Sequence, residues 1–404
     1  MKRILFISNG YGEDYVAVNV AKEILNMEPS ISIEGLPIVG EGNLYINSQI
    51  PIIGPHKFTP SGGFLSSIRT LVKDVREGLI KLHYKQLKSL KEWLKEDGII
   101  IAVGDIVPLA LAVFSKKPFF FISIQKSVYY VINNNYENIE KKEAIKIAKK
   151  AYLLEYYFMK NNRLLKVFPR DKLSYDILKL SHINAEYLGN PMMDGLEPTG
   201  RLNLDKFENY LKVLLLPGSR IPEAYNNFNI ILNGIFSLVH SDIKERFLFL
   251  TALAKSINMS EVSKILDEKN FTHIDSSEDY MLYNYKNHFL LLTNLFNDCI
   301  HQAQIGICMA GTATEQFVGL GKPVIVIPGK GPQYTKKFAY AQKRLLGPSL
   351  FIAENPKTLP NVFKKIYKNE KILKEVHENG KRRMGEKGAS QKIAESIIKT
   401  IKGG

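Results

Sequence analysis

Residues 3–9 (RILFISN) and 212–218 (KVLLLPG) are each a run of apolar residues that meets glycine at its end and then continues into helix-compatible sequence. An unbroken run of this kind is how a strand buried on both faces enters a strand–loop–helix unit. More runs follow the first, at 98–103 (GIIIAV), 118–124 (PFFFISI) and 185–188. The second is followed by 246–253 (RFLFLTAL), 288–292 (HFLLL), 305–309 (IGICM) and 323–328 (PVIVIP). Amphipathic stretches separate most of them, so the pattern predicts an α/β chain with two doubly wound, parallel-sheet, Rossmann-like domains. Turn residues concentrate at 189–204 (GNPMMDGLEPTGRLNL), placing the domains at 1–195 and 205–385. The last segment, 386–404, carries amphipathic spacing at 389–402 that suits a helix crossing back to the first domain. Two such domains are expected to face a cleft, with ligand bound beyond the carboxyl ends of the strands.

A chain of 404 residues can supply two such cores. Its two cysteines, Cys299 and Cys308, exclude a disulfide framework and have no paired metal-ligand spacing, so no metal is expected. The amino terminus reads as a first strand, not a secretion signal, and no stretch of about 18 apolar residues is uncharged. The expected location is cytoplasmic, with attachment to the inner face of the cell membrane left open. The net charge of +15 favours anionic partners or simple solubility. Arginine-rich blocks, RNP-type aromatic signatures and Cys/His finger spacings are absent, which argues against nucleic acid. Apolar residues at 64, 65, 68, 71, 72, 75, 79 and 82 recur at helical spacing among lysines and arginines. They read as an ordinary surface helix or as one lying on anionic lipid. The lysine-rich stretch 141–172, with Tyr152, Tyr156, Tyr157 and Phe158, reads as a solvated helix followed by a strand.

Three turns carry the chemistry. Ser8-Asn9-Gly10-Tyr11-Gly12-Glu13-Asp14 follows the first strand; Gly10 and Gly12 let backbone approach a ligand at a helix N-terminus. Glu13 and Asp14 are helix-start residues, substrate-orienting groups or a base. Pro217-Gly218-Ser219-Arg220, with Glu223 three residues on, joins a small-residue turn to a bidentate guanidinium, a combination suited to a diphosphate. Gly311-Thr312-Ala313-Thr314 follows another strand and suits a second phosphate, with Glu315 or Gln316 one turn in to accept from ribose hydroxyls. The loop 328–335 adds donors, Gln333 among them. There is no GxxxxGK[ST], HExxH, GxSxG or Asp-x-Asp, so P-loop and metal-dependent sugar-nucleotide chemistry are disfavoured and no cofactor is expected.

The blocks LLLPGSRIPEA (214–224), LGNPMMD (188–194) and AGTATEQ (310–316), with NGYGED near the start, resemble lipid-A-disaccharide synthase and its relatives. The stretch 319–347 is similar to the lipid-A-disaccharide synthase-related subgroup, and Asn190 stands where the true synthase has the histidine of Gly-His-Pro. The resemblance implies a GT-B fold and an inverting, metal-independent transfer from a UDP-sugar to a lipid or glycolipid acceptor at the membrane surface. The first domain would hold the acceptor and the second the nucleotide. Asp105 would be the base, with Asp14 and then Glu13 behind it. The nucleotide-sugar would be held by Gly10, Gly12, Asn190, Gly218, Ser219, Arg220, Glu223, residues 311–316 and Gln333. The alternatives are a UDP-sugar 2-epimerase on the same architecture and a non-catalytic nucleotide-sugar-binding protein. A homodimer is also compatible with these readings.

Overall fold

A computed structural model describes residues 3–56, 79–132, 139–329, 331 and 334–403. The chain divides into two compact units, one made of Met1–Asp194 with Gly385–Gly404, the other of Gly195–Met384.

Unit 1 is built on five parallel strands: β1 (Arg3–Ser8), β2 (Ser32–Pro37), β3 (Ile99–Val103), β4 (Phe119–Ser123) and β5 (Leu164–Pro169). Their order is β2-β1-β3-β4-β5. Because successive side chains of a strand point to opposite faces, each run feeds two cores. Leu5, Ile7, Ile100, Ala102, Phe119 and Phe121 face one, where Leu90, Trp93, Leu109 and Ala148 cover them. Ile4, Phe6, Ile101, Val103, Phe120 and Ile122 face the other, covered by Val16, Val20 and Ile24 of the helix Tyr11–Met27. The helix Ala389–Gly403 adds Ile393, Ala394, Ile397 and Ile401 to that second core, and the Asp194 carboxylate accepts the Ser390 N–H at 2.6 Å. The expected strand at 185–188 is not part of the sheet. Ala185 makes one isolated bridge to Val167, and β5, twenty residues earlier, occupies the edge. That short apolar run caps the sheet edge without extending it.

Unit 2 has eight strands: β6 (Leu211–Leu216), β7 (Phe247–Ala252), β8 (Thr272–Ser276), β9 (Tyr280–Tyr285), β10 (His288–Thr293), β11 (Ile305–Cys308), β12 (Val324–Val326) and β13 (Leu350–Ile352). The order is β13-β12-β11-β6-β7-β10-β9-β8. Six strands are parallel, and β9 and β8 extend the β10 edge as antiparallel neighbours. The second sheet is therefore mixed, where a purely parallel one was expected. All five residues of β8 (THIDS) are exposed, as suits a polar edge strand that discourages further pairing. Among the described residues, no helix is long and apolar enough to cross a membrane.

Candidate active site

In each sheet the chain reverses its direction of winding beside the first strand, and an open α/β sheet takes its ligand at such a point. In unit 2 the reversal falls between β6 and β11, whose ends are tied where Met309 N–H donates to the Leu216 carbonyl at 2.7 Å. The loop after β6 turns at Gly218, with φ +99°; a Cβ there would sit 3.2 Å from the Met309 carbonyl oxygen. Only glycine takes that backbone without strain. Asn227, 2% exposed, fixes the corner by donating to the Pro217 carbonyl at 3.0 Å. Ser219 is exposed and Arg220 half-buried just beyond it.

The second corner leads from β11 into the helix Thr312–Gly319. Gly311 is its N-cap and provides no side-chain cap, so the opening N–H groups are left for a ligand or solvent. Thr312 is exposed and Ala313 half-buried. Thr314, by contrast, is fully buried and spends its hydroxyl on the Ala310 carbonyl at 2.8 Å. Gln342 binds the same carbonyl at 3.0 Å, and its Oε1 accepts from the Tyr334 hydroxyl at 3.1 Å. Glu223 opens the helix Glu223–Val239 and accepts the Tyr334 N–H at 2.7 Å. That hydrogen bond braces the loop after β12. Glu315 and Gln316 are 7% and 8% exposed. Gln333 and its neighbours Lys330 and Pro332 lie outside the described residues, as does most of the amphipathic stretch 64–82.

In unit 1 the reversal falls between β1 and β3, and the three acids named from sequence gather there. Asp105 caps the helix Ile106–Phe114 by accepting the Val107 N–H at 2.9 Å, and accepts from Asn9 Nδ2 at 3.1 and 3.3 Å. Glu13, on the first turn of the helix after β1, accepts from the Gln125 amide at the end of β4. A Cβ on Gly104, at φ +116°, would press on the Glu13 side chain, so glycine lets β1 and β3 deliver both acids together. Asp14 is 4% exposed; its Oδ1 accepts from the Ser8 hydroxyl at 2.5 Å, and that hydroxyl lies 2.7 Å from the Tyr45 hydroxyl. Gly10 adopts φ 127° as N-cap of the helix Tyr11–Met27, with Gly12 half-buried behind it. Asn190 is fully buried, and its Oδ1 caps the turn Pro191–Met193 by accepting the Met192 N–H at 3.2 Å.

The electrostatics separate these acids. Burial raises Asp105 above the ordinary carboxylate range, opposed by the Val107 and Asn9 hydrogen bonds and the Lys126 charge. Burial pushes Asp14 up to about 7, against the Ser8 hydrogen bond and with the help of Glu13. Glu155 was not anticipated. It is 1% exposed with Lys126 Nζ 4.0 Å from its Oε2, and burial pushes it up to about 8. Both raised groups hold a proton that the unfolded chain gives up near pH 4, so native stability must fall as pH rises from about 4 toward 7 or 8. Each contributes about 1.4 kcal/mol per pH unit at most in its window. Asp14→Asn and Glu155→Gln are therefore expected to raise the urea midpoint at pH 8 and leave it nearly unchanged at pH 4.5. A midpoint difference that did not depend on pH would contradict these assignments.

No family model and no curated protein matches the chain. Solved structures do match. MnaA of Staphylococcus aureus in complex with UDP aligns with 12% identity over all of this chain and 97% of its own, at a TM-score of 0.60. The calicheamicin glycosyltransferase CalG4 aligns with 11% identity over 100% and 98%, at 0.62. The UDP-GlcNAc 2-epimerase of Neisseria meningitidis bound to UDP-GlcNAc aligns with 14% identity over 98% and 100%, at 0.55. At such identities the likeness is one of fold, and the fold of this chain is GT-B, with a Rossmann-like sheet in each unit.

Proposed function

We propose that this protein is a sugar-nucleotide enzyme that binds the diphosphate of a UDP-sugar in unit 2 and transfers the sugar, with inversion, to an acceptor hydroxyl. The reading is carried by the union, at neighbouring strand ends of one sheet, of the Gly218–Arg220 corner and the uncapped N-terminus at Gly311–Ala313. Backbone N–H groups, a helix dipole and a guanidinium then converge on one anion. Asp105 in unit 1 accepts the proton of the acceptor hydroxyl as its oxygen bonds to the anomeric carbon. The bond from that carbon to the UDP oxygen breaks, and Arg220 with the 311–313 N–H groups takes up the charge that develops on UDP. Asp105 is preferred over Glu13 and Asp14 because it is half-buried, whereas those two are 7% and 4% exposed. The motif resemblance supports a lipid-linked or glycolipid acceptor.

A second reading, epimerisation of a UDP-sugar at C2, is supported by the likeness to an epimerase bound to its substrate. A ligand that binds only the folded state stabilises it by about 2.7 kcal/mol at a hundredfold excess over Kd. UDP and UDP-sugars are accordingly expected to raise the thermal midpoint, and NAD and ATP not to. Stabilisation by NAD or ATP but not by UDP overturns both readings. Incubation with UDP-sugar alone separates them: an epimeric UDP-sugar marks the epimerase, and a product formed only with acceptor marks the transferase.

A further inference from the structure

The loop that leaves β4 carries Lys126 between anchors. Arg170, 2% exposed, donates to the Ile124 carbonyl at 2.8 Å, and Gln125 donates to the Glu13 carboxylate. On the far side Ser127 caps the short helix Val128–Tyr130 by accepting the Tyr129 N–H at 3.1 Å. The backbone at Lys126 is therefore fixed on both sides. It lies at the same end of the sheet as Asp105, because β3 and β4 are parallel neighbours. A lysine has a flexible four-carbon stem, so it fixes a charge in space only when its head is held as well.

Glu155 supplies that hold. It belongs to the helix Leu154–Phe158, which packs on the helix after Asp105 where Phe158 meets Phe114 edge-on at 6.0 Å between ring centres. One of its carboxyl oxygens lies 4.0 Å from Lys126 Nζ, and the other makes no hydrogen bond among the described residues. A charged carboxylate buried with so little pairing is costly, and the neutral acid is the cheaper occupant. Burial accordingly keeps Glu155 protonated at neutral pH, so it faces Lys126 without cancelling the lysine's charge. That charge acts on Asp105, where it joins the Val107 and Asn9 hydrogen bonds in opposing the rise that burial causes. Two further acids, Glu13 and Asp14, stand on the helix Tyr11–Met27, and Tyr152, within electrostatic reach of Glu155, also faces Arg170 and Asp171. We propose that Lys126 and Glu155 are positioning residues for Asp105: Glu155 holds the Lys126 ammonium in place, and the ammonium keeps Asp105 ionised and ready to accept a proton. The role rests on the sugar-transfer reading, but the arrangement is measured without turnover, so either can fail alone.

The test follows two carbon-13 signals of the full chain through a pH titration. The Asp105 carboxyl is identified by its loss in Asp105→Asn, and the Lys126 Cε by its loss in Lys126→Arg. Lys126→Met should move the Asp105 midpoint upward, whereas Lys126→Arg keeps the charge and should leave it near the parent's. The Lys126 signal should shift as Glu155 ionises at about pH 8, and Glu155→Gln should abolish that shift. In the proposed transfer, Lys126→Met should lower kcat/KM about tenfold on the acid limb and much less on the plateau, the mark of a base that has lost its counter-charge. The proposal is overturned if the Asp105 midpoint is unchanged in Lys126→Met. It is equally overturned if the Lys126 signal passes through pH 8 alike in the parent and Glu155→Gln. A parent chain that transfers no sugar while both titrations behave as expected removes the sugar-transfer reading and supports the arrangement.

Discussion

If Asp105 is the base of the proposed transfer, Asp105→Asn is expected to lower kcat by about two to four orders of magnitude, the usual contribution of a positioned base, with UDP affinity unchanged. The substitution suits the question because asparagine keeps almost everything structural that the aspartate does. It caps a helix as well as aspartate, so the Val107 N–H retains its acceptor and the helix Ile106–Phe114 its start. The amide oxygen can still accept from Asn9 Nδ2. Only the ability to take a proton is lost. Asp105→Ala removes the cap as well and should cost a further ~1 kcal/mol of stability, so comparing the two separates fold from chemistry. In the parent chain the acid limb of the kcat/KM profile for the proposed transfer should lie above the ordinary carboxylate range, because burial raises Asp105 and a protonated base cannot take the acceptor's proton. Full turnover in Asp105→Asn would pass the role to Asp14, whose carboxyl at about 7 is poised for it but whose 4% exposure leaves an acceptor little access.

The fold was legible where burial on both faces forces an uninterrupted apolar run. Strands β1, β3, β4, β6, β7, β10, β11 and β12 all carry that mark. It fails at β2 (SIEGLP), where Glu34 and Gly35 interrupt the run, yet Glu34 is satisfied from a distance by Arg3 at 3.0 Å. It fails again at β8, whose exposed polar residues are chosen to end a sheet, and at β13, three residues long. The opposite error, a strand at 185–188, came from apolar residues that cover a sheet edge. The two small-residue corners after β6 and β11 were legible because such a turn between strand and helix is a local property. The side chains that tune the acids were not. Tyr45, Gln125 and Glu155 meet Ser8, Glu13 and Lys126 only after folding, and nothing near them in the chain marks them as partners. Nor was it legible that Thr314 would donate to the Ala310 carbonyl, or that Glu223 would accept from Tyr334, contacts made only in the folded chain.

The second large effect is expected at Arg220. If its guanidinium holds the diphosphate, Arg220→Ala removes charge-assisted hydrogen bonds of about 1.5–3 kcal/mol, a ten- to hundredfold loss of UDP affinity. Uridine, which has no phosphate, should bind the parent and the variant alike, and that contrast ties the loss to the phosphates. Arg220→Lys should recover only part of it, because an ammonium replaces the charge but not the planar, two-pronged donor. The neighbouring corner provides an internal check. Gly218→Ala leaves the arginine in place but forces a side chain into φ +99°, 3.2 Å from the Met309 carbonyl. It should weaken UDP binding and lower the thermal midpoint together, whereas Arg220→Ala should weaken binding alone. Equal affinity of parent and Arg220→Ala for UDP, measured by calorimetry at fixed salt, would remove the guanidinium from the site. Among the described residues of unit 2, the proposed phosphate contact would then fall to the Gly311–Ala313 helix terminus.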